Sequence, residues 1–305
     1  MTKRRSPLFS QHQPGGVFNV VNLEYFPADM FFVDSGHAAA SDAAGFGHNP
    51  DKPFATLDYA VGQCTASVGD YIFVMPGHAE TITAAGGLDL DVAGITIVGI
   101  GNGSLIPTIT LGGTADTVDV DVDAANITVR HIKFVAGFAD IVAAIDVNAC
   151  NTAFIDCQFF GDGAGLNALI WIQDAAAGAS DYITVKDCFF YDPDTANTHA
   201  INFAGTGFGH LVRGNRFYGD WGTLAVGGAG ATVCSTIDNN YIWNIAAVND
   251  SCINSAADGG WVVGNMVSSP QAQANAITAA NIAKFNNYEA VDTEDLSGLL
   301  EPPVT

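Results

Sequence analysis

The stretch LDLDVAGITIVG (residues 88–99) returns as VDVDAANITVRH (120–131), at an offset of 32. It returns again as IDVNACNTAF (145–154), 25 residues after VDVDAANITV (120–129). Asp89, Asp121 and Asp146 fall on one another, and so do Gly94, Asn126 and Asn151. A second pattern then recurs: apolar, any residue, small or polar, Cys or Asn, any residue, aromatic or apolar. It reads VRHIKF (129–134), FIDCQF (154–159), VKDCFF (185–190), VRGNRF (212–217), IDNNYI (237–242) and VVGNMV (262–267). Its fourth positions are Ile132, Cys157, Cys188, Asn215, Asn240 and Asn265, spaced by 25, 31, 27, 25 and 25. FNNY (285–288) is a looser echo.

A period near 25 built of short apolar runs and turns, with no 3.6-residue periodicity and no leucine-repeat signature, predicts a solenoid of strands. The fold class that follows is all-β, a parallel β-helix with about three strands per coil and coils stacked about 4.8 Å apart. The ladder positions fit it. Stacked Asn215, Asn240 and Asn265 are expected to bond along the axis through their amides and to satisfy turn backbone groups. Cys157 and Cys188 are expected to fill the same turn as small core groups. Composition agrees: 49% of residues are hydrophobic, 14% are charged and 34 are glycine. The six cysteines show no CxxC spacing and no metal-type pairing with histidine, so core thiols are expected rather than a disulfide framework.

The front of the chain carries a further motif. FFVDSGHAAASDAAGFGHNPDKPFATLDYAV (31–61) leads into GDYIFVMPGHAETI (69–82). Val33, Asp34, Gly36, Asn49, Pro53, Phe54, Thr56, Leu57 and Ala60, then Gly69, Asp70, Ile72, Val74, Pro76, Gly77 and Glu80, resemble the opening of the right-handed parallel β-helix (pectate-lyase-like) superfamily. Ala79 stands where that opening has Tyr. The resemblance implies a single right-handed parallel β-helix with an N-terminal capping helix. Phe54, Leu57, Val61 and Cys64 form one apolar stripe and predict that helix independently. The expected organisation is an arm over 1–29, the β-helix over 30–290 and a tail over 291–305.

The formal net charge is −22, which opposes binding to nucleic acid phosphates. No apolar run approaches the length of a membrane span. Lys3, Arg4 and Arg5 are not followed by an apolar segment, so no export signal is expected.

Strand alternation turns the valines of VDVDV inward and the aspartates outward. Stacking the repeats predicts an outward column of Asp89, Asp121, Asp146, Trp171 and Asn202, and a second of Asp91, Asp123, Asn148 and Gln173. Carboxylates about 5 Å apart repel one another and need compensation. Three readings are open. The face is simply solvated; or Asp89, Asp121 and Asp146 hold a Ca²⁺ between coils; or Asp121 and Asp146 form a glycosidase-like pair with Trp171 as the sugar platform. Arg130, Lys186 and Arg213 share another outward column, either as exposed ion pairs or, with Lys3, Arg4 and Arg5, as a docking strip for an acidic partner.

Motifs of pectate lyases and polygalacturonases are missing, as are GxSxG, the P-loop and HExxH. The resemblance therefore implies a non-enzymatic bacteriophage virion protein, a capsid decoration (cement) or surface spike protein. A homotrimer is expected, with capsid or other virion proteins as partners. The alternative is a tailspike-like polysaccharide hydrolase or lyase, or an adhesin for host surface glycans.

Overall fold

The computed structural model describes residues 29–163, 165–174, 180–228, 233–246, 252–255, 258–269, 276–279 and 282–291. Its strands form three parallel sheets, here I, II and III, of ten, nine and eight strands. The chain visits them in turn. One coil runs through Thr128–Arg130 in sheet I, Lys133–Ala136 in sheet II and Ile145–Val147 in sheet III. The next runs through Ala153–Ile155, Gln158–Phe160 and Ile170–Asp174. Each strand pairs in parallel with its counterpart one coil on. The chain is thus an all-β parallel solenoid, as its period requires.

The inward side chains form columns. Val129, Phe154, Val185 and Val212 line sheet I, all buried. Phe134, Phe159, Phe190 and Phe217 line sheet II, with centroid distances of 5.4, 4.4 and 4.7 Å between successive rings. The rings lie nearly parallel, as parallel strands in one register require when identical residues share a column.

Between sheets I and II the chain turns sharply. His131, Asp156, Asp187, Asn239 and Asn286 each take a positive φ of 53–55° there, and Gly214 and Gly264 take 70° and 66°. These are the "small or polar" third positions of the repeat, where only glycine or a residue tolerant of the left-handed region fits. The next residue points inward and forms the ladder. Asn215, Asn240, Asn265 and Asn287 are all buried. The Asn240 Oδ1 accepts from the Asn215 backbone N–H at 2.9 Å and from its Nδ2 at 3.0 Å. The Asn240 Nδ2 donates to the Val212 carbonyl at 2.9 Å and to Asn265 Oδ1 at 3.0 Å. Asn265 repeats the arrangement with Asn287.

The thiols continue the ladder rather than only filling space. The Cys188 N–H donates to Asn215 Oδ1 at 2.8 Å, and the Cys157 N–H donates to the Cys188 sulfur at 3.4 Å. Cys157 Sγ and Cys188 Sγ approach the Val129 and Phe154 carbonyls at 3.5 Å, the acceptor positions that the asparagines use further on. No disulfide links the six cysteines; Cys157 and Cys188 are buried, Cys64 and Cys150 half-buried, and Cys234 is exposed.

The expected helix is shorter than its stripe. It spans Leu57–Val61, capped by Thr56, whose Oγ1 accepts from the Tyr59 N–H at 3.4 Å. Its buried side packs on Met30–Val33, Tyr71–Val74 and Leu88–Asp89. Phe54 lies ahead of it, bridged to Val33 as extended chain, and Cys64 lies beyond it. The backbone pairing of Phe54 with Phe32 and Asp34 removes it from the helix. Most of the expected arm, and the tail beyond Val291, lie outside the described residues.

The ladder gives a stability prediction. Asn240→Leu keeps the branching of the side chain but strands several buried partners, each worth about 1–3 kcal/mol. A loss of about 3 kcal/mol or more is expected from urea unfolding. Asn240→Cys, which installs the group already used at two rungs, should lose less than half as much.

Candidate functional site

The outward face of sheet III carries the acidic columns. Asp89 is in register with Asp121, and Asp121 with Asp146. Val120 and Val122 point into the core, which leaves Asp121 outside. The group the structure gathers is Asp119, Asp121 and Asp146, half-buried, with one carboxylate oxygen of each lying within 4.8 Å of the others. Asp119 enters because the strand continues the same alternation one step earlier. Its Oδ1 accepts the Gly86 N–H. Gly86 takes a φ of +58°, and a β-carbon on it would stand 3.1 Å from Asp121 Oδ2. In the neighbouring column Asp123 accepts from Asn148 Nδ2 at 2.8 Å. Asp89 lies on the far side of Asp121, nearer the charges of Asp91, Asp123 and Asp58.

The electrostatics follow from this crowding. Partial burial, then the charges of Asp119, Asp123, Asp146 and Asp89, push the Asp121 carboxyl up to about 6. Burial followed by the Asp119 charge raises Asp146. Burial raises Asp119, opposed by the Gly86 hydrogen bond. Burial and three neighbouring aspartates raise Asp89. Among the described residues no lysine or arginine forms an ion pair with this group. It can hold a shared proton, and its hard oxygen donors suit a divalent cation such as Ca²⁺.

Trp171 is not a platform beside these carboxylates. It is fully buried, its indole Nε1 donates to Asp192 Oδ2 at 3.0 Å, and its ring meets Phe159 edge-on at 5.9 Å. Asp146 is in register with Gln173, not Trp171, and Gln173 with Asn202. Two causes shift it. This coil is 27 residues long at that column rather than 25. Alternation also fails at the start of the strand, where Trp171 and Ile172 both turn inward; Ala200 and Ile201 do so in the next coil.

The basic column is real in register but largely answered by its own chain. Arg130 pairs across to Ile155, which leads to Lys186 and then Arg213. Arg213 Nε lies 2.7 and 2.9 Å from the two oxygens of Asp238, and Lys186 Nζ lies 3.6 Å from Asp187. Lys3, Arg4 and Arg5 lie outside the described residues.

The outward face of sheet II carries a feature that the 25-residue repeat does not announce. Phe160, Tyr191, Tyr218 and Trp243 occupy one outward column. Successive rings are 5.6, 5.4 and 5.3 Å apart. Beside them run Phe189, Arg216, Tyr241, Met266 and Tyr288. Tyr241, Trp243, Met266 and Tyr288 are 45–52% exposed. Lys133 stands over the Phe160 ring at 4.4 Å. The signal lies in the sequence, in the aromatic runs CFFY, NRFY and NYIW that begin at the ladder positions Cys188, Asn215 and Asn240.

No protein-family model matches the chain, and no curated protein matches it. Among solved structures it is similar to a rhamnogalacturonan lyase, at 13% identity and a TM-score of 0.43, over 90% of each chain. It is similar to a pectate lyase from Bacillus sp. N165 in complex with trigalacturonate, at 14% identity and a TM-score of 0.45, over 81% of this chain and 83% of that one. It is also similar to the ORF18 protein of Geobacillus virus E2, at 11% identity and a TM-score of 0.31, over 86% of this chain and 61% of that one. Among the described residues no helix is long and apolar enough to cross a membrane.

The raised carboxyls fix a pH dependence. For Asp121 the folded-state value of about 6 lies above the ordinary 3.8. Its contribution to stability is therefore fully present below about 3.8 and is lost as pH rises through about 6. Asp121→Asn should melt higher than the native chain at pH 7–8, by about 2–4 °C after allowance for solvent screening. The two should converge below pH 4. Equal melting curves at both pH values would show that the carboxylates do not repel.

Proposed function

We propose that this chain is a non-enzymatic structural component of a bacteriophage virion, a capsid decoration or surface spike protein that works by presenting its sheet faces to other subunits. The observation that carries the reading is the outer face of sheet II. An outward column of aromatic rings in mutual contact, half-buried at Phe160, Tyr191 and Tyr218 and exposed at Trp243, stands on a rigid sheet beside exposed Tyr241, Met266 and Arg216, on a chain of net charge −22. Tyr, Trp, Met and Arg are the residues enriched where proteins meet, and an extended exposed apolar surface marks such a place. Rings already held against one another lose little conformational freedom on docking. The acidic remainder keeps the particle soluble and repels polyanions. The bacteriophage setting is an analogy with virion components that share the parallel β-helix architecture which the chain resembles.

The second reading is the polysaccharide hydrolase, and one observation favours it. Asp119, Asp121 and Asp146 lie together, and Asp121 is pushed up to about 6, the range of a general acid. The burial of Trp171 removes the sugar platform that this reading drew on.

Two measurements separate them. Mass spectrometry of purified particles of the encoding phage should find the chain in stoichiometric amount. A Tyr241→Lys/Trp243→Lys chain with unchanged circular dichroism should be missing from them. Incubation with bacterial surface glycans should release no new ends. Release that Asp121→Asn or Asp146→Asn abolishes would overturn the structural reading in favour of the hydrolase.

A further inference from the structure

We propose that copies of this chain pack side by side with parallel axes, the aromatic outer face of sheet II on one protomer against the outer face of sheet III on the next. This rests on the assembly reading above and names its first partner, a second copy of the chain.

The argument is charge and shape matched by height along the solenoid. Lys133 projects from sheet II in the same coil that places Asp146 on sheet III, and Asp121 lies one coil away. The ammonium group is already held over the Phe160 ring, outward of the sheet. Rotation about an axis parallel to the solenoid leaves every coil at its own height. Lys133 of one protomer then arrives level with the carboxylates of its neighbour, which have no cationic partner within their own chain among the described residues.

Further along, the match changes in the same way on both faces. The coils that carry Tyr191, Tyr218 and Trp243 on sheet II carry Asn202, Gly227 and Asn254 in the outward column of sheet III. Aromatic rings meet uncharged small and amide groups there, with no carboxylate to strip of water. An antiparallel pair would instead set the aromatic end against the aspartates. Sheet II packed on its own copy would leave the carboxylates of sheet III unmatched. On sheet I, Arg213 and Lys186 already face Asp238 and Asp187, and Arg130, level with the carboxylates, stands among Thr128, Ala153 and Ile155 with no column of rings to pack beside it.

Two different faces make a heterologous contact. Two copies cannot close it, so under rotation it generates a ring of at least three protomers. The expected homotrimer is the smallest such ring.

Sedimentation velocity on the full chain tests this. The native protein should run as a closed oligomer of three or more. Lys133→Glu and Asp121→Lys should each raise the concentration for half-dissociation at least tenfold, and the double variant should recover most of that loss. Arg130→Glu, at the same height on sheet I, should leave the oligomer intact. Circular dichroism and melting of each variant exclude misfolding as the cause. In a Cys234→Ser background, Lys133→Cys and Asp146→Cys chains should form a disulfide with each other when mixed, and neither with itself.

A native chain that stays monomeric at every concentration overturns the proposal. So does dissociation by Arg130→Glu in place of Lys133→Glu, or self-pairing of the Lys133→Cys chain. Glycan binding by a monomer that Trp243→Ala abolishes would assign the face to sugar instead. Absence of the chain from phage particles would sink the virion reading while leaving the oligomer result standing.

Discussion

The left-handed bend between sheets I and II, with the inward amide that follows it, is the constraint on which the rest of the solenoid depends. A parallel strand pair alone has no means of choosing its register, and a slip of one residue would turn every core side chain outward. The bend supplies the choice. His131, Asp156, Asp187, Gly214, Asn239, Gly264 and Asn286 set the corner, and from Cys157 onward the residue after it reaches the backbone of the coil before. Each asparagine satisfies a buried carbonyl and a buried N–H of the coil before it, so a misplaced coil leaves both unpaired in the core.

A fixed register aligns the outside as firmly as the inside. Where a column repeats Phe it stacks rings, and where it repeats Asp it stacks charges. The same pairing that brings Phe159 over Phe134 brings Asp146 over Asp121. The core has one demand, apolar groups of similar volume, and meets it identically in each coil. The three outer faces have no common demand and differ: mixed charge on sheet I, aromatic on sheet II, acidic then neutral on sheet III. This contrast between faces is what the proposed assembly draws on.

The sequence disclosed what repeats and concealed what breaks the repeat. Asn215, Asn240 and Asn265 stand at equal intervals, so their ladder and the inward phenylalanines beside it were legible. Asp121 and Asp146 were legible for the same reason. Trp171 was misplaced because its coil is longer and two consecutive residues turn inward there, which no period of two predicts. Asp119 was passed over because the aligned copies begin one residue after it, although its alternation with Asp121 places it on the same side. The aromatic face of sheet II was hidden by its own chemistry. In CFFY the outward Phe189 and Tyr191 look as apolar as the inward Phe190, so alternation between core and solvent leaves no contrast to read.

The carboxylates of sheet III carry the most consequence for an isolated chain. Each is raised by burial and all but Asp119 also by its neighbours, so the folded coil is less stable with them ionised than with them neutral. The sequence retains them on a strand where any polar residue would keep the valines inward. Anything that binds the folded chain and neutralises the cluster, whether proton, cation or a lysine of a neighbouring copy, recovers that free energy and stabilises the coil by mass action. In the assembly proposed above, repulsion within one protomer becomes a driving force for contact with another. Such a contact would need no change in the fold.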